Sequence, residues 1–408
     1  MAPVGSHDAL QAAIDGGASS VYFGVEKLNM RSRSSANFTL DDLAHIADIC
    51  RRHGMESYLT LNVVLFDEEL DAMREIVRRA KREGVSAIIA SDQAAIDFAH
   101  SEGVEVHVST QLNISNFEAL KFYARYADVV VLARELSLHQ VKRIAEQVAQ
   151  HNVCGPRGEL VKIEMFCHGA LCMATSGKCY LSLHQSGLSA NRGSCLQLCR
   201  RAYQLTERDS GFAIATDSEY LMSPKDLCTI EFVDVMLDAG VQVFKIEGRA
   251  RSAEYVKTAC ECYRKAFEAV ACGAYSGELK AELKEKLRRV YNRGFWDGYY
   301  MGAPLGEWSA VYGSAATTRK TYCAKALNYY ARLGVAEFLL EAGSLKLGDT
   351  LLIMGPTTGV LELSIAQLHV GDAGTPTCEV RKGDVFSIAV PQRVRRADKL
   401  YLLQLTTL

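Results

Sequence analysis

Along its first two thirds the chain alternates two patterns. Short runs rich in β-branched and aromatic residues are separated by longer stretches with apolar positions at helical spacing. The short runs are MAPV at the start, SVYFGV (20–25), SYLTLNVV (57–64), SAIIAS (86–91), EVHVSTQLN (105–113), DVVVLARE (128–135), KIEMFCHG (162–169) and VQVFKIEGR (241–249). Between them, LDDLAHIADICRRHG and ELDAMREIVRRAKREG read as helices; the second ends on Gly84 after basic residues, a C-cap position. Eight strands with mostly helical connections predict an α/β fold with a (β/α)8 TIM-barrel-like domain. An open doubly wound sheet is the alternative, but no Gly-rich dinucleotide fingerprint follows the first strand. In such a barrel, chemistry sits at the C-terminal ends of the strands. Those ends carry Asn62, Gln111, Asn113, Arg134, Glu135, His168 and the KIEGR run at 245–249.

Two departures break the rhythm. The connection from about residue 170 to 225 is long for a compact domain, and such excursions are usually functional or disordered. Its place at the catalytic face favours function. After about residue 318 the spacing changes to alternating apolar and polar positions with Gly, Pro and Asp between them, as in KTYCAKALNYYARLGVAEFLLE and LKLGDTLLIMGPTTGVLEL. That pattern predicts a small antiparallel β-barrel domain over 319–408, after a catalytic domain over 1–318 with a cysteine-rich insertion at about 167–225.

Composition narrows the class. With 408 residues, 49% hydrophobic, 23% charged and seven prolines, the chain is neither disordered, collagenous nor a coiled coil. A formal charge of −2 does not advertise nucleic-acid binding, so an RNA partner needs local basic patches. Such patches exist: Arg192, Arg200, Arg201 and Arg208; Arg249, Arg251 and Lys257; Lys284 to Arg293 beside Tyr291, Phe295 and Trp296; and Arg393 to Lys399. Spread over both domains, they can form a track for RNA phosphates, with aromatics for unstacked bases. The start of the chain lacks a charged region followed by an apolar run, and no apolar stretch approaches the ~20 residues that span a bilayer. A cytoplasmic location, with no membrane partner, is the expectation. There a cysteine cluster is more often metal-binding or catalytic than disulfide-bonded.

That cluster is the chain's strongest chemical signal. Glu164 to Arg201 holds five of the 13 cysteines, at 167, 172, 179, 195 and 199. Six residues separate Cys172 from Cys179 and three separate Cys195 from Cys199. Iron–sulfur clusters take four thiolates on a wrapping loop, whereas structural zinc favours tighter pairs. Buried free thiols and a redox disulfide remain alternatives, and Cys228 is a substitute fourth ligand. Cys167 and His168 are strand neighbours facing opposite ways, so they are not a ready nucleophile–base pair. In KIEGR, Glu247 is a candidate proton carrier, while Lys245 and Arg249 are candidates to hold a carboxylate or phosphate. His168 completes the candidate catalytic set if it faces the cluster; a satisfied structural histidine is its plainer reading. Gln111, Asn113, Glu135 and Arg192 are the candidate substrate-binding residues. A salt-bridge network closing the barrel is the plainer reading of KIEGR.

The segment that carries Glu164, Phe166, Gly169-Ala170-Leu171-Cys172, Gly177, Cys179 and Leu181-Ser182 matches the signature E-x-F-x2-G-[SA]-[LIVM]-C-x4-G-x-C-x-[LIVM]-S. By these residues, and by MAPVG, STQLN, SPKDL and KIEGR, the chain resembles the collagenase-like peptidase U32 family, most of all its tRNA uridine hydroxylation branch. The resemblance implies a [4Fe–4S] cluster held by Cys172, Cys179, Cys195 and Cys199. It also implies oxygen-independent 5-hydroxylation of the wobble uridine of tRNA with prephenate as co-substrate, and an electron-donor protein as a further partner. Hydroxylation of a ribosomal RNA cytidine, hydroxylation of a quinone precursor, and peptide hydrolysis are the other activities in that family.

Overall fold

In the computed structural model, residues 1–33, 37–211, 213–214, 220–303, 306–371 and 374–406 are described. The strands β1 (Ala2–Pro3), β2 (Ser20–Phe23), β3 (Glu56–Leu61), β4 (Ala87–Ala90), β5 (Glu105–Val108), β6 (Val129–Val131) and β7 (Lys162–Gly169) lie side by side in chain order, each parallel to the next. Next come β8 (Asp226–Cys228), antiparallel to β7, β9 (Val243–Ile246), parallel to β7, and β10 (Phe295–Trp296), parallel to β8. Hydrogen bonds also join β9 to the start of the chain. The Met1 ammonium donates to the Phe244 carbonyl at 2.8 Å, and the Ile246 amide donates to the Met1 carbonyl at 3.1 Å.

Each predicted strand is present, but several stop short of their predicted ends. EVHVSTQLN leaves the sheet after Val108, turns through Thr110–Leu112, and places Asn113 in the left-handed region at φ 52°. DVVVLARE is paired only over Val129–Val131. Polar residues at these ends hydrogen-bond locally instead of continuing a ladder: Asn113 Nδ2 donates to the Gln111 carbonyl at 2.8 Å and to the Ser176 carbonyl at 2.9 Å.

One helix follows each of the first six strands: α1 (His7–Asp15), α2 (Asp42–Arg52), α3 (Leu70–Glu83), α4 (Gln93–Ser101), α5 (Phe117–Tyr123) and α6 (Leu138–Gln150). In α3, Met73, Ile76, Val77 and Ala80 are buried at the spacing of one helix face, and Gly84 closes the helix at φ 78°, as its sequence predicts. α1 is capped by the Ser6 side chain. The short α7 (Leu181–Ser186) lies in the cysteine-rich segment and α8 (Val233–Asp238) between β8 and β9. Two longer helices, α9 (Ala253–Ala271) and α10 (Gly277–Arg289), follow β9. Among the described residues, no helix is long and apolar enough to cross a membrane.

Beyond residue 317 the strands β11 (Thr318–Tyr330), β12 (Val335–Leu340), β13 (Thr350–Gly355), β14 (Gly359–Ser364), β15 (Val385–Ala389) and β16 (Lys399–Leu405) form an antiparallel sheet in the order β14-β13-β16-β11-β12-β15. A hairpin of His369–Val370 and Thr375–Pro376 continues it. Alternate residues of β13 serve two cores. Leu351 and Ile353 join Phe338, Phe386 and Leu400 in a core belonging to this sheet, while Leu352 and Met354 join the core of the parallel-sheet unit. The period-2 pattern thus buries both faces of one strand. The antiparallel sheet is docked against α1 and α9, where the Lys257 ammonium donates to the Val360 carbonyl at 2.8 Å.

Candidate functional site

A cleft of about 340 Å³ opens where the chain leaves the C-terminal ends of the parallel strands. Arg31 follows β2, Asn62 follows β3, Gln111 follows β5, Arg134 follows β6, and Glu247, Arg249 and Arg251 follow β9; all of them line it. So do Cys172, Cys179, Cys195 and Cys199, from the long segment between β7 and β8.

Two glycines hold that segment close to the strand ends. Gly169 ends β7 at φ 103°, and a Cβ there would lie 2.3 Å from the Glu247 carbonyl oxygen. Gly193 sits at φ 83°, where a Cβ would lie 2.1 Å from Ser32 Oγ and 2.6 Å from the Asn29 carbonyl oxygen. Any larger residue at either place meets both a disfavoured backbone conformation and a backbone wall.

The four cysteines are free thiols, Cys172 exposed and the other three half-buried. Burial pushes the Cys199 thiol up, Arg200 pulls it down, and Cys172, Cys195 and Cys179 push it up again. Cys199 therefore lies within the field of the other three sulfurs. Among the described residues, no group of three or more His, Cys, Asp or Glu side chains is drawn close enough to grip a single metal ion. The thiols rim a cleft instead of converging on a point. A four-iron cluster has volume, and its thiolates stand further apart than the ligands of one ion. This donor set, four cysteines around one cavity, fits such a group by residue type and placement. Cys228, the alternative fourth ligand, is buried away from the cleft, its thiol pushed up to about 12 by desolvation.

The electrostatics of the cleft are one-sided. Seven cationic side chains line it, against a single carboxylate, Glu247. Arg31 Nη2 meets Glu247 Oε1 at 2.7 Å, and the Tyr22 hydroxyl donates to Glu247 Oε2 at 3.2 Å. Burial is the largest single influence and raises the Glu247 pKa, but the charge and hydrogen bond of Arg31, together with Arg249 and Arg134, outweigh it and hold the group at about 2. This electrostatic setting favours the ionised Glu247 carboxylate at neutral pH. Arg249 is buried, which lowers its pKa to about 10; its Nη1 donates to Thr60 Oγ1 at 2.8 Å and to Asn29 Oδ1 at 3.1 Å. Lys245 reaches the floor of the cleft but is engaged by the fully buried Glu164 at 2.7 Å and lies over the Tyr22 ring at 4.7 Å. The plainer reading of KIEGR, an ion-pair network between strands, thus describes Lys245 and Glu247.

The remaining predicted residues scatter. Gln111 lines the cleft, and Gly177 is packed against it. Asn113, Glu135, Arg192 and His168 do not line it. Asn113 braces the turn described above. Glu135 is exposed. Arg192 grips Glu69 through two hydrogen bonds of 2.9 and 2.8 Å and stacks on Phe66 at 3.6 Å, pinning the cysteine segment to the connection after β3. His168 is buried against Tyr255, Tyr263 and Phe295, and desolvation lowers its pKa to about 3. Burial thus favours the neutral imidazole, packed among aromatic rings and outside the cleft lining.

Sequence reasoning missed Arg31, which lies outside every strand and motif. It gave Arg293 and Arg251 only as members of basic runs. Buried Asp226 gathers both, each at 3.4 Å, and Arg251 lies 3.7 Å above the Tyr291 ring. Arg200 donates to Ser223 Oγ and to the Pro224 carbonyl at 3.0 Å.

Comparison with known proteins agrees with the sequence signature. The profile of "Peptidase family U32" matches residues 5–310. A protein named "Collagenase" from Porphyromonas gingivalis is 56% identical over 402 residues, 98% of this chain and 96% of that protein. "tRNA hydroxylation protein P1" from Bacillus subtilis is 32% identical over 363 residues, 87% of this chain and 83% of that one. "tRNA hydroxylation protein P" from Escherichia coli is 25% identical over 439 residues, 96% and 93% of the two chains. Identity is thus higher to the collagenase-named relative than to the two tRNA hydroxylation proteins. With three quarters of its length inside the family profile, the chain belongs to peptidase family U32.

Proposed function

We propose that this protein is an oxygen-independent RNA hydroxylase that converts the wobble uridine of tRNA to 5-hydroxyuridine, using prephenate and a cysteine-held [4Fe–4S] cluster. The observation that carries the reading is the meeting of four free thiols and a strongly cationic wall in one cleft. We also read the eight parallel strands as a (β/α)8-type barrel, residues 1–318 as the catalytic domain, and the antiparallel sheet of 319–408 as a second domain that helps hold tRNA. A cytoplasmic location and an electron-donor protein belong to the same reading.

Cys172, Cys179, Cys195 and Cys199 would hold the cluster, which would supply one-electron redox chemistry when bound. Arg200, half-buried beside Cys199 and Cys172, offsets the negative charge of such a group. Prephenate carries two carboxylates, and Arg31, Arg134 and Arg251 present guanidinium groups suited to binding them. Glu247 fixes Arg31, and Thr60 with Asn29 fixes Arg249, so these cations are positioned before any ligand arrives. Gln111 and Asn62, uncharged and on the same wall, are suited to the polar edge of a flipped-out base.

The identity to a collagenase-named relative favours a second reading, peptide hydrolysis. It needs a nucleophile with a base. No histidine lines the cleft among the described residues, and the Cys167 thiol is buried and pushed up by desolvation. Both readings are tested together: anaerobically purified protein is given unmodified tRNA, prephenate and a reductant, and in parallel a collagen-derived peptide. Formation of 5-hydroxyuridine with the peptide intact supports the proposal. Peptide cleavage that survives removal of iron, with no change in the tRNA, overturns it.

A further inference from the structure

A second cavity, of about 490 Å³, lies between α9, α10 and the antiparallel sheet. It is larger than the first, and its volume is ordinary for a small-molecule or nucleotide site. Its floor is apolar, made by Val290, Leu352, Val360 and Leu403. Its rim is mainly cationic, with five Lys and Arg side chains against three glutamates. The internal pairs use up only part of that charge. Lys320 is bound by Glu254, and Arg289 by Glu362 at 2.7 Å. Arg319 is exposed and makes no ion pair among the described residues, and Lys286 meets only the exposed Glu282, at 3.0 Å.

A further observation points to an occupant: Tyr291 lines both cavities. Its hydroxyl is anchored on the Gly313 carbonyl at 3.0 Å, and its ring lies under the Arg251 guanidinium. The cationic wall of the catalytic cleft therefore continues past Tyr291 into the second cavity.

We infer that the second cavity holds a nucleotide of the RNA strand that neighbours the one in the catalytic cleft. This inference rests on the RNA-modifying reading. Arg319 and Lys286 take the phosphates, and the apolar floor takes a base or ribose face. Tyr291 with Arg251 forms the saddle over which the strand passes. The antiparallel sheet closes one side of this track through Thr318, Arg319, Lys320 and Leu403. A free nucleotide has the same chemistry, and the test separates the two sources.

The test is binding of an anticodon stem-loop RNA to the full-length protein, measured by fluorescence anisotropy from low to physiological salt. The Arg319→Gln/Lys286→Gln variant changes two exposed side chains, and circular dichroism checks its fold. Each lost phosphate contact lowers the slope of log K against log salt by about 0.7 for single strands, so the double variant should lose about 1.4. An unchanged slope and affinity in the double variant, while wild-type protein binds the stem-loop, overturns the inference and leaves the proposed function standing. Competition by free uridine monophosphate as strong, per nucleotide, as by the stem-loop also overturns it. Wild-type protein that binds no RNA overturns the proposed function and this inference together.

Discussion

Replacing Lys245 by Met should destabilise the protein sharply, and the size follows from its partner. Glu164 is fully buried, and among the described residues Lys245 Nζ, at 2.7 Å, is its only ammonium partner. The other carboxylate oxygen, Oε2, already lacks a hydrogen bond; His107 Nδ1, at 3.8 Å, is likewise unpaired. Removing the lysine leaves a buried carboxylate without compensation, at a cost of about 3–5 kcal/mol. Replacing both partners removes the uncompensated charge, so Lys245→Met/Glu164→Leu should regain most of that loss. Urea titrations under anaerobic conditions, followed by far-ultraviolet circular dichroism, measure both variants against wild type. A single variant that loses less than about 1 kcal/mol, as surface pairs do, would show that the Glu164 site is wet or flexible and refute the reasoning. A double variant as unstable as the single one would do the same.

Other expectations are more local. Glu247 is depressed from 4.5 to about 2 in the folded state, so its contribution is complete above about pH 5 and is lost as pH falls from about 4.5 towards 2. The linked stability is about 3 kcal/mol, and Arg31→Ala should remove most of this acid dependence in urea titrations at a series of pH values. His168→Phe should cost under about 1.5 kcal/mol and keep hydroxylation within a few fold, because the ring is buried among aromatics; a loss beyond a hundredfold would restore a chemical role. Cys199→Ala should lower the iron content of anaerobically purified protein, whereas Cys228→Ala should leave it unchanged; the reverse pattern would move the fourth ligand to Cys228. Arg192→Ala should hasten limited proteolysis between residues 170 and 200, since it frees that segment from Glu69 and Phe66.

What the sequence disclosed follows from how local each signal is. The parallel strands and α3 are legible because their apolar positions repeat within a few residues, and the cap of α3 is a single glycine. The change to alternation after residue 318 is legible for the same reason. The cysteines announce themselves by density and spacing, and they do meet in one cleft. The roles of the charged residues were not legible. Glu247 reads as an acid or base until Arg31, more than two hundred positions away, is found at 2.7 Å. The side that His168 faces is likewise not readable from its place at a strand end, and Asn113 and Arg192 brace loops. Sequence spacing reports which face of an element a residue occupies, but not which distant side chain meets it there.

The central claim is tested most directly by nucleoside mass spectrometry of tRNA from a strain that lacks this protein. The strain is complemented either with the wild-type chain or with the Cys172→Ala/Cys179→Ala variant. Loss of 5-hydroxyuridine, restored by wild type and not by the variant, is the predicted result. Unchanged 5-hydroxyuridine in the deletion strain would contradict the account.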